Sequence, residues 1–145
     1  MLTRVVDDVP AGLDLLPMAA SEFSRMSEIE RMLFVKKSER VWVLSDEEGE
    51  LMVVGVYAPT FLNVPELWML LCRNFRRRLK SNIKELQERL SELLEIYPRI
   101  SVRVDAQTPD GQNFVEIMGF SPVSTEVSNG REYIIYEVNR GVRSS

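Results

Sequence analysis

The sequence predicts an α/β fold: a single domain with a mixed sheet and helices packed on it. Three observations carry the prediction. Short runs in which apolar and polar residues alternate recur along the chain, as half-buried strands require. In segment 75–97, Leu79, Ile83, Leu86, Leu90 and Leu93/Leu94 recur at spacings of three and four, which gives a helix one apolar face. That helix lies between two strand-like runs, 66–71 and 100–105, an order that demands a right-handed crossover and a parallel strand pair.

In chain order, 3–6 reads as a strand and 7–12 as a turn. Segment 13–26 reads as a helix, with Leu13, Leu16, Phe23 and Met26 apolar and Pro17 in its first turn. Ser27-Glu28-Ile29-Glu30 is a capping box that opens a second helix to about residue 37. Segment 40–45 alternates around Val41, Trp42 and Val43 as a strand. The acidic turn Asp46-Glu47-Glu48-Gly49-Glu50 leads back into strand 51–58, giving a hairpin. That turn lacks the ligand spacing of a calcium loop and reads as a solvated hairpin tip.

After a loop at 59–65, Glu66 to Leu71 is nearly all apolar, as a strand covered on both faces should be. The 75–97 helix, about 34 Å long at 1.5 Å per residue, stops at Pro98. Segment 100–105 alternates as a strand. Thr108-Pro109-Asp110-Gly111 opens a short helix to Met118, closed by Gly119. Runs 120–127 and 131–138 flank Ser128-Asn129-Gly130 as a last hairpin. The expected domain spans 1–139, with 140–145 as a flexible tail.

Composition removes much chemistry. The 145 residues include no histidine and one cysteine, Cys72. Ser-His-Asp and Cys-His sites, His-ligated metals, Cys-based zinc and an intrachain disulfide are therefore excluded. No metal is expected. No apolar run reaches the length of a membrane span, and the acidic start has no signal-peptide core, so the expectation is a cytoplasmic protein without a membrane partner. A net charge of -4 argues against nucleic acid as a partner of the whole surface.

The local exception is the start of the long helix. Arg73, Arg76, Arg77, Arg78 and Lys80 crowd its N-terminus, while Glu92 and Glu95 sit near its C-terminus. The helix dipole favours the reverse by about 0.3–1 kcal/mol per exposed charge. An anion at this end would offset the mismatch, and free N–H groups with several cations form a phosphate site. The alternative is that the arginines lie along the surface on their apolar stems. Interleaved aromatics are missing apart from Phe75, so the cluster does not read as a single-strand nucleic-acid platform.

The element order, together with Glu66-Leu67-Trp68-Met69-Leu70-Leu71 ahead of the basic helix, resembles the GCN5-related N-acetyltransferase (GNAT) superfamily. So does the run from Asp105-Ala106-Gln107-Thr108 to Phe114-Val115-Glu116-Ile117-Met118-Gly119-Phe120. The resemblance covers nearly the whole chain. It implies an acyl-CoA N-acyltransferase fold in which two parallel strands splay apart and acetyl-CoA, or another acyl-CoA, lies in the gap. It also implies direct attack of an amine acceptor on the thioester. Carried over by position, Leu70, Leu71 and Cys72 would meet the pantetheine. Arg73, Arg76, Arg77, Arg78 and Lys80 would meet the phosphates, with Phe114 beside the cofactor and Glu66 as the base. The family's pyrophosphate loop carries spaced glycines, and none falls within 76–82 here, where Arg78, Lys80 and Asn82 substitute. The family's tyrosine acid aligns with Val115, and Thr108 stands where asparagine is frequent. The pattern is also similar to degenerate GNAT-like proteins of phages and prophages, some of them virion components.

Two functions follow from different classes. One is an N-acetyltransferase with Glu66 as base. The other is a noncatalytic binding or assembly module, with Phe61, Leu62, Trp68 and Met69 contributing to a protein-partner surface and a virion location if the chain is phage-derived. Glu66 as an exposed strand-end carboxylate, Trp68 as plain core, and Cys72 as strand-end packing rather than a thiolate are the bland alternatives.

Overall fold

The computed structural model describes residues 2–6, 38–57, 64–128 and 130–141. The expected helices at 13–26 and 27–37, together with Phe61, Leu62 and residues 142–145, lie outside them. The described elements are β1 (Leu2–Val6), β2 (Ser38–Asp46), β3 (Gly49–Tyr57), β4 (Glu66–Leu71), α1 (Phe75–Ile96), β5 (Arg99–Asp105), α2 (Pro109–Ile117), β6 (Ser121–Ser128) and β7 (Arg131–Asn139). The strands form one mixed sheet in the order β1-β2-β3-β4-β5-β7-β6. Within it β4 and β5 run parallel, as the crossover through α1 requires. The other described pairs are antiparallel.

The sheet has two faces because side chains alternate along each strand. On one face Ile100, Val102 and Val104 of β5, Leu67 of β4 and Met52 and Val56 of β3 pack with Leu86, Leu90 and Leu94 of α1. Phe114, Val115, Met118 and Phe120 extend this core from α2 and the turn after it. On the opposite face Val41, Val43, Val53 and Leu70 form a smaller cluster with Val6 and Trp68. The Trp68 indole N–H donates to Ser38 Oγ at 2.8 Å. Its ring lies over Gly55, where an added Cβ would meet it at 2.1 Å. Gly55 is therefore fixed by a close approach, and Trp68 is part of the packing.

α2 closes as its sequence indicates. Gly119 takes φ 98°, its N–H donates to Glu116 O, and the Phe120 N–H donates to Val115 O. This is a Schellman end, with Phe120 turned into the core. α1 departs from the expected pattern in its first half. Its buried line is Phe75, Arg78, Asn82, Leu86, Leu90 and Leu94, whereas Leu79 and Ile83 are only half-buried. A spacing of four keeps these residues on one face, so the stripe that meets the sheet starts polar and ends apolar.

Candidate functional site

The parallel strands separate almost as soon as they meet. Glu66 pairs with Ser101 and Leu67 with Val102, and the β4–β5 register ends there. β4 nevertheless continues to Leu71 and β5 to Asp105. Each strand is held outward by its other neighbour: β4 stays registered with β3 from Tyr57↔Glu66 to Met52↔Leu71. The Cys72 N–H donates to Leu51 O at 3.0 Å, and β5 stays registered with β7 as far as Asp105↔Tyr133. The result is a wedge between Trp68–Leu71 and Arg103–Asp105, open toward the C-terminal ends of the strands. Ligands of open α/β sheets bind at such a place.

Two helix starts flank the open end. Phe75 at the head of α1 meets Phe114 of α2 edge-to-face, with ring centroids 4.9 Å apart. Arg76 lies 3.7 Å from Asp110. Asn74, at the N-cap of α1, makes no side-chain cap bond, and the first turn holds no acidic residue. Asn74 has φ 63° and ψ 18° and is the single non-glycine with positive φ among the described residues. Asparagine is among the few side chains that tolerate this conformation. It supplies the backbone turn that a glycine would otherwise supply.

The basic cluster divides into two groups. Arg78 is buried, its side chain 6% exposed. It donates from Nε to Asp46 Oδ2 at 3.0 Å, and its Nη2 is bonded to Asp46 Oδ1. It also donates to the carbonyls of Gly49 and Glu50, at 2.9 and 3.1 Å. Asn82 donates to the same Asp46 carboxylate at 3.0 Å. Arg77 grips Glu48 through two bonds, at 2.6 and 3.3 Å. The Arg78 bonds hold the Asp46 carboxyl at a pKa of about 2, and Asp46 in turn raises that of Arg78. The acidic turn keeps Glu47, Glu48 and Glu50 exposed, as a solvated tip would, but it is also anchored. It docks on the helix start and supplies, from inside the chain, the negative charge that the basic residues call for. Arg73, Arg76 and Lys80 remain exposed.

At the closed end of the wedge sits Glu66, half-buried. Its oxygen is 3.6 Å from Arg103 Nε, and Arg103 reaches Glu126 at 3.6 Å and lies 5.3 Å from the Tyr133 ring centre. Burial pushes the Glu66 pKa up, Arg103 opposes this, and Glu126 adds to it. Arg103 and Glu126 were not signalled by sequence, because their contact depends on the β5–β7–β6 order, which no local pattern encodes.

The remaining sequence candidates, and two tyrosines of β7, fall into place as follows. Leu70 and Cys72 are buried and Leu71 is half-buried, at the end of β4 along the wedge. Phe114 is buried under Phe75. Val115 is fully enclosed at 1% exposure. Tyr136 is buried opposite Val102, and desolvation raises its pKa. Tyr133 is half-buried opposite Asp105, at the lip of the wedge. The Thr108 hydroxyl, just before α2, is buried with no hydrogen-bond partner among the described residues. Among the described residues no group of three or more His, Cys, Asp or Glu is placed to hold a metal, and no helix is long and apolar enough to cross a membrane.

No family model and no curated protein matches the sequence. Solved structures do match in fold. A chimera of the spermidine N-acetyltransferase SpeG from Vibrio cholerae and hSSAT superposes with TM-score 0.65 at 13% identity, covering 97% of this chain and 98% of that one. An IAA acetyltransferase from Bacillus cereus gives TM-score 0.66 at 13% identity, covering 95% and 98%. An acetyltransferase of the GNAT family from Streptococcus pneumoniae gives 0.55 at 12% identity, covering 79% and 77%. The architecture of this chain is therefore the GNAT acetyltransferase fold over nearly its whole length.

Proposed function

We propose that the chain is a member of the GNAT superfamily and that its wedge takes an acyl-CoA, acetyl-CoA being the simplest, for transfer to an amine. The observation that carries this reading is the arrest of β4–β5 pairing after Leu67↔Val102, beside a helix start whose N-cap Asn74 makes no side-chain cap bond. The backbone of Leu70 to Cys72 borders the wedge and suits a pantetheine amide. Arg73, Arg76 and Lys80, with the N–H groups of Arg76 and Arg77 in the first turn of α1, suit the phosphates. Arg77 and Arg78 are engaged by Glu48 and Asp46. The Thr108 hydroxyl adds a buried polar group just before α2 that has no hydrogen-bond partner among the described residues.

An acyl-CoA supplies a thioester carbonyl. The acceptor nitrogen bonds to that carbon, the C–S bond breaks, and the sulfur leaves as thiolate. Glu66 takes the ammonium proton, directly or through one water. A carboxyl with a pKa raised by burial is better matched to that task than an exposed one. With Val115 at the usual acid position, the thiolate takes its proton from solvent or from Tyr133. The second reading, a noncatalytic module on the same fold, is favoured by the enclosed Val115. A phage or virion role rests on the sequence pattern alone.

Calorimetry with acetyl-CoA tests the first reading. Saturable binding that weakens about 2–5-fold in each of Arg76→Ala and Lys80→Ala supports it. The absence of heat at millimolar acetyl-CoA, CoA and longer acyl-CoA overturns it. Binding without turnover of any amine favours the noncatalytic module.

A further inference from the structure

A second concavity adjoins the wedge at Met69. Between the α1 side of β1–β4 and the C-terminal half of α1 is a cavity of about 250 Å³. Its inner wall includes Leu44, Met52, Leu67, Leu86, Val115 and Phe120, each less than a tenth exposed. Its rim is Thr3, Arg40, Arg89, Glu92 and Ile96, all exposed. Neither the cations at the head of α1 nor the wedge residues Leu71, Cys72, Arg103 and Asp105 line it.

Among the described residues the inner wall carries no polar side chain. The concavity is open at its rim, and water held against its apolar wall has few polar partners, so an apolar guest gains by displacing it. Three methionines, Met52, Met69 and Met118, are in the lining. Their unbranched side chains adapt to a flexible guest better than branched ones do. The rim sets the head group. Arg89 is paired with Glu92 at 3.2 Å, and Glu39 accepts from the Tyr97 hydroxyl. Arg40 has no ion pair among the described residues. An apolar interior below one unpaired guanidinium matches a chain that ends in a carboxylate.

We propose that this cavity is a binding site for a medium-chain aliphatic carboxylate. The chain lies among Met52, Val54, Met69 and Leu90, and the carboxylate meets Arg40. The site shares Met69 with the wall of the wedge, and competition with an acyl-CoA tells the two apart.

Calorimetry on the full chain with sodium octanoate, octanol and acetate tests the proposal. Octanoate is expected to bind ~100-fold or more tightly than acetate, through its additional buried methylenes, and more tightly than octanol. Arg40→Gln should bring octanoate to the level of octanol and leave octanol unchanged. Val54→Phe, which fills the cavity from β3, should abolish binding of both while retaining cooperative thermal unfolding. If Val54→Phe does not fold, Leu90→Met serves as the milder variant and should shift octanoate affinity in the same direction. Octanoate no better than acetate, octanoate unaffected by Arg40→Gln, or retained binding in folded Val54→Phe would each overturn the proposal. Competition between octanoate and octanoyl-CoA for one site would also overturn it, by bringing the chain in from the wedge as a thioester.

Discussion

Charged clusters stand at the two ends of β4, and they are built differently. Beyond its C-terminal end, Arg78, Asp46 and Asn82 are buried or nearly so, and their side-chain bonds to one another are 3.0 Å or shorter. At its N-terminal end Arg103 stands 3.6 Å from Glu66 and 3.6 Å from Glu126, with no tight contact to either. The first cluster lowers a carboxyl pKa and pins a hairpin to a helix. The second leaves a carboxyl pKa raised. A tightly bonded pair makes a charge part of the scaffold, whereas a loosely held, half-buried carboxylate keeps proton affinity available for chemistry.

Substitutions at the two ends should therefore separate activity from stability. The largest effect is expected from Glu66→Gln: a fall of about 10²–10⁴ in acyl-transfer rate, measured by thiol release, with no loss of stability. Because the folded-state pKa of Glu66 is raised, its ionisation disfavours the fold as pH climbs through the raised value, and the neutral amide removes that penalty. A rate equal to wild type would dismiss Glu66 as the base. Arg78→Ala should do the reverse, losing about 3–5 kcal/mol in denaturant unfolding because Asp46 is left buried without its partner. Stability within 1 kcal/mol of wild type would show the cluster to be ornamental.

A smaller effect belongs to pH. With a folded-state pKa of about 2, against about 3.9 in an unfolded chain, Asp46 stabilises fully above pH 5. That contribution, about 2 kcal/mol, is lost as pH falls toward 2. Asp46→Asn should flatten the acid limb of the stability curve between pH 5 and 2, and an unchanged limb would contradict the assignment. An effect of similar size is expected at Gly55→Ala, about 1–3 kcal/mol from crowding the Trp68 indole. Denaturant unfolding of the variant measures it, and wild-type stability would contradict the close approach.

Much of the fold was legible because periodicity is local. Glu66 to Leu71 was read at its observed limits. The ends of both described helices followed from Pro98 and from Gly119, which punctuate the chain wherever it packs. The basic helix start was legible as a charge that needs a partner. The identity of that partner was not. Asp46 and Glu48 are some thirty residues away in sequence, and an acidic hairpin turn in isolation looks like any solvated turn. The same limit hid Arg78 and Asn82. A periodicity search assigns the buried stripe to Leu79 and Ile83, because it gives no weight to a guanidinium that enters the interior with its counter-charge. The set around Arg103 was equally hidden, since β7 lies between β5 and β6 and only that order brings Glu126 near Glu66.

Amide hydrogen exchange on β4 and the head of α1, with and without acetyl-CoA, is the most direct test of the wedge. The account predicts slower exchange at residues 69–72 and at the first amides of α1 when the cofactor is present, with β6 and the β2–β3 turn unchanged. Exchange in β4 that does not respond to saturating acetyl-CoA, or protection confined to another surface, would contradict it.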